Sequence, residues 1–218
     1  MAEQKITVKD EALRKGAEEG MDAFLQVFID RYLEVTGGGI NAETMPLLNG
    51  YQHSLLGYHF FREEIMEGGF VQLIQNGYGP YIFDNPFAKA MRIFGAKDFS
   101  KLIYEAKTIY DANKTDLERD CTNEEFMAMY EQYEVFDDLE EKYMDMEELV
   151  TAQIASYVDE HLDDFAEIIP VSAMKSRNIK DLIETLKKYL PDSFRYYDET
   201  QVTNKPLKNI MIGEKINN

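Results

Sequence analysis

Three histidines, one cysteine and several glycine clusters are the residues of this chain whose types could carry chemistry. His53 and His59 are six apart, roughly 240° around a helix, so they do not share a face. His59 and Glu63 stand at i and i+4 and could both reach a metal, but no third ligand accompanies them in sequence. A zinc-type site needs three or four. His161 lies among Asp159, Glu160, Asp163 and Asp164 and reads as a surface histidine. Cys121 sits among Glu118, Asp120 and Glu124 with no histidine nearby, a poor setting for a nucleophile. With one cysteine, neither a disulfide nor a multi-cysteine zinc site forms within the chain. Gly68-Gly69-Phe70 and Asn76-Gly77-Tyr78-Gly79-Pro80 lack the Gly-Lys-Ser/Thr ending of a phosphate loop, so they read as turns and close-packing points. Asn113-Lys114-Thr115-Asp116 spells a guanine-reading tetrapeptide, but no apolar strand precedes it and no phosphate loop exists. The residues therefore call for no catalytic group, no metal and no cofactor.

Charge is the exceptional feature. The formal net charge is −18, and residues 116–167 carry 19 acids against two bases, Arg119 and Lys142. Residues 124–148 alone hold 11 acids and one lysine. If helical, these 25 residues span roughly 37 Å, a linear charge density that approaches one DNA strand at about one phosphate per 3.4 Å. An acidic helix face is ordinarily a solvated surface. Here the i, i+4 lysine partners that relieve such repulsion are missing, and the self-repulsion they leave points to a partner. Such a block repels nucleic acid and anionic membrane, so the partner is expected to be a basic protein.

The elements that must position these residues are helical. A first helix is expected from about Lys9 to Val35, with Leu13, Met21, Phe24, Leu25, Phe28, Ile29 and Tyr32 inward. A second is expected from Thr44-Met45-Pro46 through Leu55, Leu56 and Ile65 to a stop at Gly68-Gly69. A short apolar piece, Phe70 to Gln75, then ends at Asn76-Gly77. Asn85-Pro86 is expected to open a helix that closes at Gly95, and Asp98 to cap the next, with Phe99, Leu102, Ile103, Ala106 and Ile109 inward. In the acidic segment, Phe126, Tyr130, Tyr133, Phe136, Leu139, Tyr143, Met146, Val150, Ile154, Tyr157, Leu162 and Phe165 recur at three- or four-residue steps. That pattern gives one long helix, or two in line, with an aromatic stripe inside and acids outside. Glu124, Glu131, Glu134, Asp138, Glu141, Asp145 and Glu148 are then the candidate partner-binding face. One helix offers one row of charges; a two-fold homodimer would supply a second. After Phe165 the pattern changes to the β-branched run Ile168-Ile169-Pro170-Val171, then a helix from about Asn178 to Leu190 and a polar tail.

Residues about 41–167 resemble a bacterial family whose best-known member is an acidic DNA mimic. The resemblance rests on Glu67-Gly68-Gly69-Phe70-Val71-Gln72, then Asn76 and Gly79, Phe94-Gly95-Ala96, the Ala106-to-Tyr110 helix, and a closing acidic helix that ends in His161 and Phe165. The family usually has Asn before the glycine pair, where this chain has Glu67. The resemblance implies a helical fold and an acidic surface, through which the DNA-mimic member binds a DNA-binding transcription factor. The last 50 residues resemble the closing part of the Era family of ribosome-associated GTPases. The residues are Ile168 to Met174, Asn178, Leu182, Leu190-Pro191, Tyr196-Tyr197, Gln201, Thr203 and Glu214. The phosphate loop and switches of that family are absent, so a Ser-Ala loop at Ser172-Ala173 is not expected to bind nucleotide by itself.

The expected fold is mainly all-α: a multi-helix globular domain over residues 1–167, with a small strand-helix appendage at 168–218. No strand beyond about three residues is expected before Ile168, and a Gly69→Val change is expected to destabilise by about 1–3 kcal/mol. Met1 to Lys15 has no apolar stretch of a signal peptide, and no run approaches a membrane span, so the expected location is the cytoplasm. The functional expectation is a non-enzymatic acidic interaction protein, imitating DNA for a basic DNA-binding protein. Two alternatives remain: an immunity protein covering a basic nuclease toxin, and an enzyme using a pocket near residues 59–80, with Glu63, Glu64 or His59 as its working groups.

Overall fold

The computed structural model describes residues 6–169, all within the first of the two units into which the chain divides, Met1–Pro170. The fold is all-α with one small two-stranded parallel sheet. Helix α1 (Asp10–Glu19) and helix α2 (Met21–Thr36) replace the single helix expected over this stretch. Gly20, at φ +122, breaks it. That conformation is open to glycine and strained for other residues. The break lets α1 fold onto α2 so closely that a Cβ on Gly16 would sit 2.9 Å from the Ala23 carbonyl oxygen. Leu13, Phe24, Leu25, Phe28, Ile29 and Tyr32 are buried as expected, whereas Met21, beside the break, is 39% exposed.

Helix α3 (Gly50–Gln75) is the central element. It starts later than expected, because Met45–Leu47 forms only a 3-10 turn and Asn49 builds a capping box with Gln52. The Asn49 side chain accepts from the Tyr51 and Gln52 amides, and Gln52 Oε1 accepts from the Asn49 amide. Such a cap satisfies orphan donors at the helix start. Helix α3 buries side chains on most of its sides, as befits a helix largely enclosed by others, while Glu63, Met66 and Glu67 stay exposed. Phe61 and Phe70 anchor an aromatic centre: Phe61 lies 5.1 Å from Phe99 and 5.0 Å from Tyr143, and Phe70 lies 5.0 Å from Phe136.

Helices α4 (Gly79–Phe83), α5 (Phe87–Ile93) and α6 (Lys97–Leu117) follow. The short α4 was not expected. Pro86, not Asn85, occupies the cap position of α5, and Asp98 lies inside the first turn of α6 rather than at its cap. Phe99, Leu102, Ile103 and Ala106 are buried, and Ile109 is partly buried against the core.

The acidic segment forms two helices, α7 (Asn123–Gln132) and α8 (Asp137–Glu160), followed by the short α9 (Leu162–Phe165). A 3-10 turn, Glu134–Phe136, separates α7 from α8. Side chains three apart eclipse in such a turn, so Tyr133 and Phe136 both point inward. The domain closes on itself at Phe165, whose carbonyl oxygen accepts from Tyr32 Oη and Gln52 Nε2, both at 2.9 Å. Strand β2 (Glu167–Ile169) then pairs in parallel with strand β1 (Thr7–Lys9), Val8 opposite Ile168. A strand was expected to begin at Ile168; its partner β1 was not foreseen. The expected helix from Asn178, the Ser172-Ala173 loop and the rest of the appendage lie outside the described residues.

Candidate functional site

Helix α8 is built so that its two sides have opposite character. Leu139, Tyr143, Val150, Ile154 and Val158 recur at four- and seven-residue steps and are buried. Most of the acids between them are therefore turned outward. Asp137, Asp138 and Glu140 fall in the first turn, where the helix dipole favours negative charge by about 0.3–1 kcal/mol each. Further along, that help is gone, and like charges three or four apart cost roughly 0.2–0.5 kcal/mol per pair.

All seven acids of the candidate face, Glu124, Glu131, Glu134, Asp138, Glu141, Asp145 and Glu148, are exposed. Among the described residues none of the seven has an ion pair or a side-chain hydrogen bond. Asp138, Glu141, Asp145 and Glu148 share one side of α8, within an arc of roughly 80°. Four charges over an axial rise of about 15 Å give one per roughly 5 Å. Because α7 and α8 are separated by the 3-10 turn, the 37 Å uninterrupted rod expected from the sequence is not formed. Phe126 and Tyr130, expected inward, are only half-buried.

Other acids of the same segment do internal work that periodicity, read only as an apolar stripe, had missed. Glu140 is half-buried, and its Oε1 accepts from the Phe70 amide at 2.7 Å. Glu147 accepts from Arg62 Nε at 2.5 Å and from Thr151 Oγ1 at 3.1 Å. Asp116 accepts from Tyr133 Oη at 2.6 Å and is held below the usual carboxylate range chiefly by that bond. Glu125 closes a capping box with Thr122 and pairs with Arg119. Glu140 and Glu147 lie on the Tyr143 side of the helical wheel, the one signal that could have marked them.

The glycine motif and the acidic helices meet at Glu140. Gly68 and Gly69 kink α3, with Gly69 at φ +73. Tyr130 Oη donates to the Gly68 carbonyl at 3.0 Å, and the Glu140 carboxylate covers Gly69. Phe70 is fully buried beyond the kink. Gln72 Nε2 donates to Glu64 at 3.0 Å and to Glu67 at 3.3 Å, and Asn76 Nδ2 donates to Glu64 at 2.8 Å. Glu67 thus serves as an acceptor beside the glycine pair. Gly79 is buried against Tyr110, where a Cβ would sit 3.0 Å from Cε2.

Burial pushes the Glu140 carboxyl above its usual value, and the Phe70 amide opposes this. A folded-state value above the unfolded one means that stability is greatest below the carboxylate range and falls as pH rises through it. Glu140→Gln keeps an acceptor for Phe70 and removes that penalty, so it should be no less stable than the wild type at pH 7. Glu140→Ala should cost about 1–2 kcal/mol, because the amide loses its partner. Urea midpoints of the two variants between pH 4 and 7 would check both signs; a Gln variant less stable than Ala would refute the account.

The groups considered for catalysis lie outside the groove at the start of α3. This groove, of about 210 Å³, is lined by Met45, His53, Gly57, Tyr81 and Phe87, among others, but not by His59, Glu63 or Glu64. Both ring nitrogens of His53 are engaged, Nδ1 with Tyr81 Oη and Nε2 with the Met45 carbonyl, each at 2.8 Å. Burial holds His59 below its usual value. Cys121 Sγ donates to Gln75 Oε1 at 3.1 Å. Among the described residues no three His, Cys, Asp or Glu side chains gather as a metal site, and no helix is long and apolar enough to cross a membrane.

These features define an all-α domain whose distinguishing surface is a run of outward carboxylates, unpaired among the described residues. The sequence profile of the DMP19-like protein family matches residues 47–161, more than half of the chain, and the chain belongs to that family. It is 29% identical over 147 residues to DNA mimic protein DMP19 of Neisseria meningitidis serogroup B, covering 67% of this chain and 88% of that protein. Two shorter matches are to GTPase Era. The Clostridium kluyveri protein is 49% identical over 45 residues, 21% of this chain and 15% of the GTPase. The Clostridium novyi protein is 45% identical over 58 residues, 27% of this chain and 19% of the GTPase.

Proposed function

We propose that this protein is a non-enzymatic, cytoplasmic binding protein that presents its acidic face to a basic DNA-binding protein, such as a transcription factor, in place of DNA. The observation that carries the reading is the row Asp138, Glu141, Asp145 and Glu148, four exposed carboxylates on one side of α8 to which no cation among the described residues is bound. One charge per roughly 5 Å compares with about one phosphate per 3.4 Å along a single DNA strand. Groups that hold the fold, Glu140 and Glu147, are kept apart from this row, so the surface charge is free to be used. Kinship with a protein named as a DNA mimic supports the same reading. A homodimer would place a second row beside the first, as a duplex does.

The test is a competition. The full chain, immobilised, is offered native-cell extract at low ionic strength, and the bound fraction is eluted by salt or by duplex DNA. The expected result is a basic DNA-binding protein that is released by about 0.5 M salt, where exposed charge pairs are screened, and displaced by duplex. A partner indifferent to both would refute the reading. A captured nuclease whose activity the chain blocks would establish the immunity alternative instead.

A further inference from the structure

Within the acidic segment lie the three most exposed large apolar side chains among the described residues: Met127 at 63%, Leu149 at 61% and Val135 at 56%. Met144, also in it, is 51% exposed. Single exposed apolar residues are common on any surface. A surface needed only for solubility, or only as a row of phosphates, has no reason to gather them here. On α8, Met144 and Leu149 bracket the acidic row, all six side chains falling within an arc of roughly 140°. On α7, Met127 lies within about 60° of Glu124 and Glu131. Beside Leu149 a cavity of about 240 Å³ opens between α8 and the start of α6, lined by Gly95, Phe99, Met146, Val150 and Gln153. Its rim includes a lysine, Lys97, and an acid, Asp98, that is paired with Lys101 at 2.7 Å.

We infer that the α8 face docks a basic amphipathic helix of its partner, with one aliphatic side chain of that helix entering the cavity beside Leu149. This rests on the acidic-face reading above and adds to it what the partner's surface must be. Charge complementarity names the basic residues, and the cavity and its apolar flank name an anchor at their edge. A buried apolar anchor surrounded by charge is how interfaces concentrate affinity. It also separates this protein from the DNA it would replace. Binding to DNA falls steeply with salt, because it is largely counterion release. An apolar anchor is insensitive to salt in that range, so this protein should displace DNA more effectively as ionic strength rises.

The experiment uses the full chain and two synthetic helical peptides of equal positive charge, one with leucines between its basic residues and one with alanines there. Affinities are read by fluorescence anisotropy from roughly 50 to 500 mM salt. The leucine peptide should bind about tenfold tighter, and its advantage should persist at high salt. The Met144→Ser/Leu149→Ser variant, its helicity checked by circular dichroism, should bind the two peptides equally and keep wild-type affinity for the alanine peptide at low salt. Equal binding by the wild type, or an advantage that survives in the variant, overturns the inference. So does a variant that turns a dimer into a monomer in sedimentation without changing peptide selectivity, since a second copy would then cover the patch. Failure of the acidic-face reading looks different: the alanine peptide would bind a charge-reversed chain as well as it binds the wild type.

Discussion

Reversing Glu134, Asp138, Glu141 and Asp145 to lysine together should abolish binding of the basic partner while leaving the helices folded. Each exposed carboxylate facing a cation contributes on the order of 0.5 kcal/mol, and its replacement by a cation turns attraction into repulsion of similar size. Four positions then amount to about 4 kcal/mol, close to a thousandfold in affinity. The fold should tolerate the change because all four side chains are exposed and none has a bonded partner among the described residues. Lysine at position 138 opposes the helix dipole at a cost of about 0.3–1 kcal/mol. The pairs 138–141 and 141–145 stay like-charged with their sign reversed, so the return comes from new opposite-charge pairs with Asp137 and Glu148 and from the lower overall self-repulsion. The melting temperature should therefore move little, and the remaining binding should depend only weakly on salt. Titration calorimetry with the captured partner, beside a thermal melt, reads both. Unchanged affinity in a folded variant would mean that the carboxylates serve solvation alone.

The choice of those four depends on a distinction that sequence showed only in part. The apolar period of α8 was legible from Leu139 to Ile154, because a helix buried on one side must repeat every 3.6 residues, whereas at its end Val158 is buried in place of the expected Tyr157. That alone placed the exposed acids. It did not separate Glu140 from Glu141, neighbours with opposite duties, because one is identified by the amide of Phe70, a residue far away in sequence. Strand β1 was illegible for the same reason. Three residues near one end acquire their structure from Glu167–Ile169 near the other, and a strand of that length has no periodicity of its own. The split at Gly20 was hidden because a lone glycine inside an amphipathic pattern is usually tolerated, and only the packing of Gly16 onto α2 makes the turn worthwhile. The start of α3, by contrast, was written in Asn49-Gly50-Tyr51-Gln52, a capping box. Pro46 drew the expected start to the preceding 3-10 turn instead.

Gly69→Val should be the most damaging single substitution in the glycine motif, by about 2–5 kcal/mol, more than the sequence alone suggested. Two independent causes add. At φ +73 a β-branched residue is strained by roughly 1–3 kcal/mol. The new side chain would also occupy the place of the Glu140 carboxylate, which lies directly over Gly69. Glu140 must then swing away and leave the Phe70 amide without its acceptor, at about 1–2 kcal/mol. These two contributions can be separated. In the Glu140→Ala background the steric conflict is gone, so Gly69→Val should cost less there than in the wild type, by about 1–2 kcal/mol. The strain at φ remains in both. Gly68, at φ −155, lies outside the left-handed region and carries no such strain; its replacement by alanine would press on the Gln72 side chain. It should cost markedly less than a change at Gly69. Urea unfolding of Gly68→Ala, Gly69→Val, Glu140→Ala and the Gly69→Val/Glu140→Ala pair measures the coupling. If the Gly69 and Glu140 changes are simply additive, the carboxylate is not what closes over the kink, and the link between the glycine motif and the acidic helix is lost.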